Sequence, residues 1–288
     1  MDKVKIAIDR LKLFEPTEGY YLAFSGGKDS ITIKALADMA GVKYDAHYNV
    51  TSVDPPELVY FIKEHHPDVD FRYPMWKREN KVKTMWNLLE RRSMPPTRLA
   101  RYCCRELKEG GGEGRVVVTG VRWAESVRRK NTRKGVEMSK EEKFDFDNEE
   151  VAKLARTCPT KGKKIINPII DWTDEDVWNF IKEYNIPYCK LYDEGFDRLG
   201  CIACPLSGGK QMIRDFQRWP KYYDRYLKTF DKMLKNMDAK GKEHKWQTPQ
   251  DVMDWWVVWG IYKFEERGLE TYQDAVEFLE KQERERKK

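Results

Sequence analysis

Two groups of residues in this chain have the types and spacing of working chemistry. The first is Ser25-Gly26-Gly27-Lys28-Asp29-Ser30. Two adjacent glycines permit positive φ and let backbone N–H groups approach an anion closely. Lys28 adds a point charge, and Ser25 and Ser30 add hydroxyl donors. The apolar run Tyr20–Phe24 precedes this loop. Residues 31–40 follow it, with Ile31, Ala35, Leu36 and Met39 spaced for one helix face. Strand, glycine turn and helix N-terminus together form a cradle for phosphate. A bare Ser-Gly-Gly would be read as an ordinary turn, but the full segment after an apolar strand is far more specific. It does not have the GxxxxGK[ST] spacing, which disfavours a GTPase or motor-type ATPase.

The second group is sulfur. The chain has six cysteines: Cys103, Cys104, Cys158, Cys189, Cys201 and Cys204. Cys201-x-x-Cys204 has metal-ligand spacing, and Cys103-Cys104 supplies a second close pair. Soft thiolates in this number suit a [4Fe–4S] cluster or, alternatively, a Zn²⁺ site. Cys158 alone reads as a buried apolar cysteine.

The elements that must position these groups alternate. A helix is expected over 4–13, strands over 20–24, 44–50 and 69–73, and helices over 56–65 and 80–92. A glycine-rich turn at 105–114 leads to a strand over 115–121. Residues 129–163 have few apolar anchors and read as a mobile excursion. A strand over 165–170 and a helix over 174–184, capped by Thr173, follow. Such alternation predicts an α/β fold with a doubly wound, mostly parallel sheet. Its ligand sits beyond the carboxyl ends of the strands. The loops 25–30, 51–54 and 120–126 all follow strands and are expected to converge there. Residues 211–240 and 248–286 are helical in pattern, with Thr248 as N-cap and Pro249 at the first helical position. The expected organisation is therefore a nucleotide-binding domain with a cysteine site over 1–205 and a helical C-terminal region over 206–288. The run DWWVVWGIYKF reads as a packed helix face.

Composition narrows the class. Of 288 residues, 35% are charged and mean hydropathy is −0.80, which describes a highly charged surface. No stretch approaches the length of a membrane span, and the N-terminus lacks a signal-peptide apolar core. A cytoplasmic location is the default expectation, and it argues against structural disulfides. The net charge of +6 suits anionic ligands and permits nucleic acid without demanding it. Basic residues are dense at 122–134 and at 161–164; the latter read as a solvated loop. Ser207-Gly208-Gly209-Lys210 repeats four letters of the glycine loop, but no strand precedes it, so it reads as a turn. His65-His66, at a helix end before Pro67, reads as a C-terminal cap.

The segment Ser25–Ser30 resembles the PP-loop of the adenine-nucleotide alpha-hydrolase superfamily. The resemblance extends further, to the phosphoadenosine phosphosulfate reductase family, in CCRELKE at 103–109, GVRWAES at 120–126, NPIIDWTDEDVW at 167–178 and LYDEGFDRLGCIAC at 191–204. It implies an adenine-nucleotide alpha-hydrolase-like fold over about 20–205. It implies that Ser25, Gly26, Gly27, Lys28, Asp29 and Ser30 bind nucleotide phosphate, with Gly120, Arg122, Ser126 and Arg129 completing a phosphate clamp and Asp54 near ribose or adenine. Lys28, Asp29 and Arg122 are the expected catalytic residues, with Asp29 helping to hold Mg²⁺ or the loop. In adenylyl-sulfate reductases a Cys-Cys pair and a later Cys-x-x-Cys hold a [4Fe–4S] cluster, which carries over to Cys103, Cys104, Cys201 and Cys204. A related sulfur-insertion enzyme of phosphorothioate DNA modification has a single Cys before its Cys-x-x-Cys. That makes Cys104, Cys189, Cys201 and Cys204 a rival set.

One departure matters. The reductases attack the sulfonate with a cysteine in a Glu-Cys-Gly-x-His type segment near the C-terminus, and no cysteine follows Cys204 here. The leading expectation is thus an enzyme that uses ATP with Mg²⁺ to adenylate an acceptor, releasing pyrophosphate, for sulfur transfer assisted by an iron–sulfur cluster. Two alternatives stand beside it: a sulfonucleotide reductase with a non-standard thiol, and a nucleotide-sensing or nucleic-acid-binding component of a modification or defence complex. The partner read from the chain is an adenine nucleotide. The acceptor, whether tRNA, DNA or a small molecule, is left open, as is assembly into a homo-oligomer.

Overall fold

A computed structural model describes residues 2–138, 155–157, 164–261 and 264–286. Cys158 and Lys161–Lys163 lie outside the described residues, as does most of the expected excursion. The chain divides into two compact units. The first comprises residues 1–49, 56–72 and 110–199, and the second comprises 50–55, 73–109 and 200–288. The second unit therefore takes in the expected helical C-terminal region and two earlier segments.

The described strands are, in chain order, β1 (Tyr20–Phe24), β2 (Tyr44–Asn49), β3 (Asp70–Arg72), β4 (Met75–Trp76), β5 (Lys81–Val82), β6 (Val116–Val118), β7 (Val136–Met138), β8 (Ala155–Thr157) and β9 (Lys164–Ile166). In the first unit seven of them form one sheet in the order β3-β2-β1-β6-β9-β7-β8. Neighbours are parallel except β7, which runs antiparallel to β9. The order reverses at β1, with β2 on one side and β6 on the other. That reversal opens a crevice at the carboxyl ends of β1 and β6.

Helices cover this sheet. Helix α1 (Lys3–Leu13) starts at Asp2, whose carboxylate accepts the N–H groups of Val4 and Lys5. It buries Ala7 and Leu11, and Tyr20 donates its hydroxyl to the Leu11 carbonyl at 2.7 Å. Helix α2 (Lys28–Ala40) begins inside the glycine loop rather than after it. It buries Ile31, Ile33, Leu36 and Ala37, whereas Met39, expected on the apolar face, is exposed. Helix α3 (Pro56–His65) buries Leu58, Phe61 and Ile62. His66 follows it and is neither a cap nor exposed. Its ring sits edge-on to Phe24 and Phe61, and burial first, then the nearby Lys34 ammonium, pushes its pKa down to about 4.

Three sequence expectations need correction. Residues 80–92 do not form one helix. Met75–Trp76 and Lys81–Val82 pair as an antiparallel ribbon, and helix α4 (Met85–Arg91) starts only at Thr84, which forms a capping box with Asn87. Within 129–163, the described parts are ordered elements: Ser126 caps the short helix α5 (Val127–Thr132), and β7 and β8 extend the sheet. The anchor there is polar. Glu137 is fully buried and accepts from Asn167 Nδ2 at 3.0 Å and Lys134 N–H at 3.3 Å. Finally, the strand expected over 165–170 ends at Ile166, where Asn167 turns the chain by donating to the Gly135 carbonyl. Helix α6 (Asp174–Glu183) is capped by Thr173 as expected.

The second unit is mainly helical, with α7 (Gly209–Arg218), α8 (Pro220–Asp238), α9 (Pro249–Val258) and α10 (Tyr272–Arg286) beside α4. Its core is aromatic: Tyr226 meets Trp86 and Trp256, and Trp256 donates its indole N–H to the Pro96 carbonyl at 2.7 Å. Ser207–Lys210 enters α7, not a phosphate cradle. A Cβ on Gly209 would stand 2.2 Å from the Val257 carbonyl oxygen, so glycine is needed there for α7 to touch the end of α9. The aromatic run is only partly a packed face. Trp256 is buried, but Trp255 and Trp259 join Trp246 around a cavity of about 640 Å³. None of the described helices is long and apolar enough to cross a membrane.

Candidate nucleotide and thiol sites

In the first unit the glycine loop leaves β1 at the crevice. Gly26 has φ of 71°, and a Cβ there would stand 2.7 Å from Leu58 and 2.8 Å from Ile62. Both the conformation and the space require glycine. Gly27 is the N-cap of α2 and offers no side chain to the helix N-terminus. Its carbonyl accepts the Ser30 N–H at 2.9 Å and the Ser30 hydroxyl at 2.9 Å, which makes buried Ser30 a strap across the turn. The exposed Ser25 hydroxyl lies 3.2 Å from that of Ser30.

The loop after β6 docks directly on this turn. A Cβ on Gly120 would stand 2.9 Å from the Cβ of Asp29, so only glycine permits the approach. Two residues on, the Arg122 side chain is 2% exposed. Its Nε donates to Asp29 at 2.7 Å, its Nη1 to the Trp172 carbonyl at 3.3 Å and its Nη2 to Asp174 at 2.7 Å. Arg122, expected as a phosphate clamp, is thus enclosed behind the loop and engaged at each nitrogen. Partial burial works to raise the Asp174 pKa, but the Arg122 guanidinium holds its carboxyl below the usual carboxylate range.

Lys28 is also engaged. Its ammonium donates to the Asp197 carbonyl at 3.0 Å and pairs with Asp174 at 3.4 Å, while its backbone N–H donates to the Tyr192 hydroxyl at 2.8 Å. Ser126 accepts the Arg129 N–H at 3.2 Å as a helix cap. Arg129 pairs with Glu125. Burial lowers the Arg129 pKa, and the cations of Arg198 and Arg133 lower it further, with Asp29 opposing them. Arg129 is thus within electrostatic reach of Arg198, of Arg133 and of Asp29 in the first turn of α2.

Sequence reasoning missed Asp174, Tyr192 and Asp197. Asp174 lies in the quoted family segment but reads only as the first turn of a capped helix. Tyr192 and Asp197 lie in the family-like segment 191–204 but have no periodic signal, and only the return of the chain to the loop gives them a role there.

In the second unit, Cys103, Cys104, Cys201 and Cys204 act on one another electrostatically. Cys103 and Cys104 are hydrogen-bonded, and that bond, reinforced by Arg101, holds the Cys104 thiol below the usual thiol range. Cys103 begins a wide turn closed by the Glu109 N–H on the Cys104 carbonyl at 2.9 Å. Burial pushes the Cys201 thiol up to about 11, against the pull of the Lys108 ammonium. Lys108, another residue missed by sequence, has its own pKa raised chiefly by Cys201. The Cys-x-x-Cys knuckle is held from two sides. Ile202 N–H donates to the Val53 carbonyl at 2.7 Å, and Ala203 N–H, at φ of 58°, donates to buried Asp215 at 2.8 Å. Asp54, expected near ribose or adenine, belongs to this unit and accepts the Thr51 N–H at 2.9 Å. Among the described residues, no three His, Cys, Asp or Glu side chains converge closely enough to hold a metal ion as they stand. Cys189 belongs to the first unit, where it is buried; burial raises its thiol pKa.

A doubly wound, mostly parallel sheet with a glycine loop at its switch-point strand defines a nucleotide-binding protein of the PP-loop class. The chain belongs to the phosphoadenosine phosphosulfate reductase domain family, whose model matches residues 19–207. An uncharacterized protein of Methanocaldococcus jannaschii is 27% identical over 212 residues, 71% of this chain and 46% of that protein. The adenosine 5'-phosphosulfate reductase of Staphylococcus haemolyticus is 27% identical over 179 residues, 60% of this chain and 61% of that enzyme. The one from Oceanobacillus iheyensis is 32% identical over 103 residues, 35% of this chain and 34% of that enzyme. The chain thus spans less than two thirds of the length of each of these relatives. A phosphoadenylyl-sulfate reductase structure from Candida auris, a phosphate complex, aligns with a TM-score of 0.47 at 15% identity, covering 70% of this chain and 88% of that one.

Proposed function

We propose that this chain binds ATP with Mg²⁺ at the glycine loop and adenylates an acceptor, as a step in sulfur transfer. The observation that carries this reading is the turn at the N-terminus of α2, where Gly26 must be glycine by both conformation and space and Gly27 caps the helix without a side chain. Gly26 and Gly27 admit phosphate, Ser25 presents a hydroxyl, and Arg129 and Arg198 supply charge. Arg122 and Asp29 hold the loop in shape, and Lys28 ties it to Asp174 and Asp197. In the proposed step an acceptor oxygen forms a bond to the α-phosphorus of ATP. The bond from that phosphorus to the bridging oxygen breaks, and pyrophosphate leaves with the electron pair.

Cys103, Cys104, Cys201 and Cys204 suit an iron–sulfur cluster in donor type. They share one unit, and Lys108 and Arg101 stand ready to balance the charge of a thiolate-bound cluster. When bound, such a cluster supplies a strong local charge and exchangeable sulfide. The protein's own contribution is to pin the Cys201–Cys204 knuckle through Val53 and Asp215.

A second reading is favoured by the adenosine 5'-phosphosulfate reductases among the relatives: a sulfonucleotide substrate. Residues 205–288 contain no cysteine, so within this chain the attacking thiol would fall to Cys103, Cys158 or Cys189. Calorimetric titration under anaerobic conditions with ATP–Mg²⁺, adenylyl sulfate and phosphoadenylyl sulfate separates the two. Preference for ATP with pyrophosphate release supports adenylation. Preference for a sulfonated nucleotide overturns it.

A further inference from the structure

The first backbone N–H of α2, that of Lys28, is not turned to open solvent. It donates to the phenol oxygen of Tyr192 at 2.8 Å. That phenol lies over the loop itself, because a Cβ built on Gly27 would stand 3.3 Å from its oxygen. The ring is held edge-on by Trp178, with centroids 5.0 Å apart, and the Lys28 ammonium lies 5.8 Å from its centroid. Tyr192 ends the single turn Lys190–Tyr192, and Asp197 further along the same segment takes the Lys28 ammonium. One segment therefore grips Lys28 at its main chain and at its side chain.

The direction of the tyrosine bond matters. A phenol that accepts a hydrogen bond uses a lone pair and keeps its own O–H for donation. Acceptance from the positive end of a helix polarises that O–H and makes it a better donor. Burial raises the Tyr192 pKa, so the proton stays on the oxygen at neutral pH.

We propose that Tyr192 is a phosphate-binding residue of the glycine loop, its hydroxyl presenting to a phosphoryl oxygen the donor capacity of the helix N–H that it covers. This rests on the nucleotide reading of the loop. It adds a donor from a segment that lies far along the chain from the glycine motif, and it gives Lys28 a structural task in place of direct phosphate contact.

The test is calorimetric titration of wild-type protein and Tyr192→Phe with pyrophosphate and with ATP–Mg²⁺, with thermal midpoints measured on both. Loss of one hydrogen bond to a charged oxygen should weaken both ligands about 10-fold or more. The ring packing against Trp178 survives in Tyr192→Phe, so the protein should still fold cooperatively, with the thermal midpoint lowered only by the lost Lys28 N–H bond. A variant that binds as tightly as wild type, or more tightly, overturns the role of Tyr192; tighter binding would mean that the phenol competes with phosphate. If wild-type protein binds neither ligand, the nucleotide reading of the loop falls and this inference falls with it.

Discussion

Arg122 Nε donates to Asp29 Oδ1 at 2.7 Å, joining the loop after β6 to the first turn of α2. The two residues come from opposite sides of the switch point, and the guanidinium is buried. An arginine whose sequence context suggests an anion clamp is, in the fold, the post on which the glycine loop stands.

Replacing it should therefore cost stability as well as binding. Arg122→Leu leaves Asp29 without its partner, and breaking a buried pair costs about 3–5 kcal/mol. The lower end is expected, because Asp174 is 67% exposed and recovers water. Arg122→Lys should restore only part, since one ammonium cannot reproduce the planar fork. Urea denaturation reads the effect. A midpoint for Arg122→Leu equal to that of wild type would show that the pair holds nothing.

The two glycine contacts make separable predictions. Gly26→Ala forces a side chain into φ of 71° and against Leu58 and Ile62, so it should destabilise by at least ~1 kcal/mol and abolish pyrophosphate binding. Gly120→Ala meets Asp29 instead, and should weaken binding by pushing the two loops apart. Isothermal titration and thermal melts on both variants check this. Wild-type affinity in Gly120→Ala would remove the argument for close docking of the loops.

His66 should make the protein acid-sensitive. Its folded pKa is about 4, below the ordinary value of 6.5 for an exposed imidazole. The unfolded chain therefore binds the proton first. The stability from the neutral ring is complete above about pH 6.5 and is lost as pH falls towards 4, by roughly 3 kcal/mol in all. His66→Phe keeps the edge contacts with Phe24 and Phe61 and removes the titration. Its stability relative to wild type should rise steadily between pH 6.5 and 4. Parallel stability curves for the two proteins would refute the assignment.

The thiol site predicts an unequal response to substitution. After anaerobic reconstitution, Cys104→Ser and Cys201→Ser should lose bound iron and sulfide, while Cys189→Ser should keep them. Retention of iron in Cys103→Ser together with loss in Cys189→Ser would instead favour the rival set, Cys104, Cys189, Cys201 and Cys204. Iron and sulfide assays on the four variants decide between them.

Much of the first unit was legible because its signals are local. Tyr20–Phe24 is an apolar run, Gly26 takes the positive φ that its residue type announces, and Thr173 is a cap with an acidic residue three positions on. The failures were local as well. Lys81–Val82 pairs with Met75–Trp76 because a turn intervenes, and no propensity sum over 80–92 reports that. Residues 136–138 looked unanchored because the anchor is a buried glutamate held by Asn167 and Arg133, which apolar periodicity cannot register.

The sequence by itself determined that a glycine turn would join a buried strand to a helix, and that paired cysteines would be available as soft ligands, since both follow from residue type and short spacing. Tertiary structure alone decided which groups serve which centre. It enclosed Arg122 behind the loop, brought Tyr192 and Asp197 onto Lys28, and put Asp54 in the unit of Cys201 and Cys189 in the other. These outcomes depend on contacts between residues far apart in the chain, which no local pattern encodes.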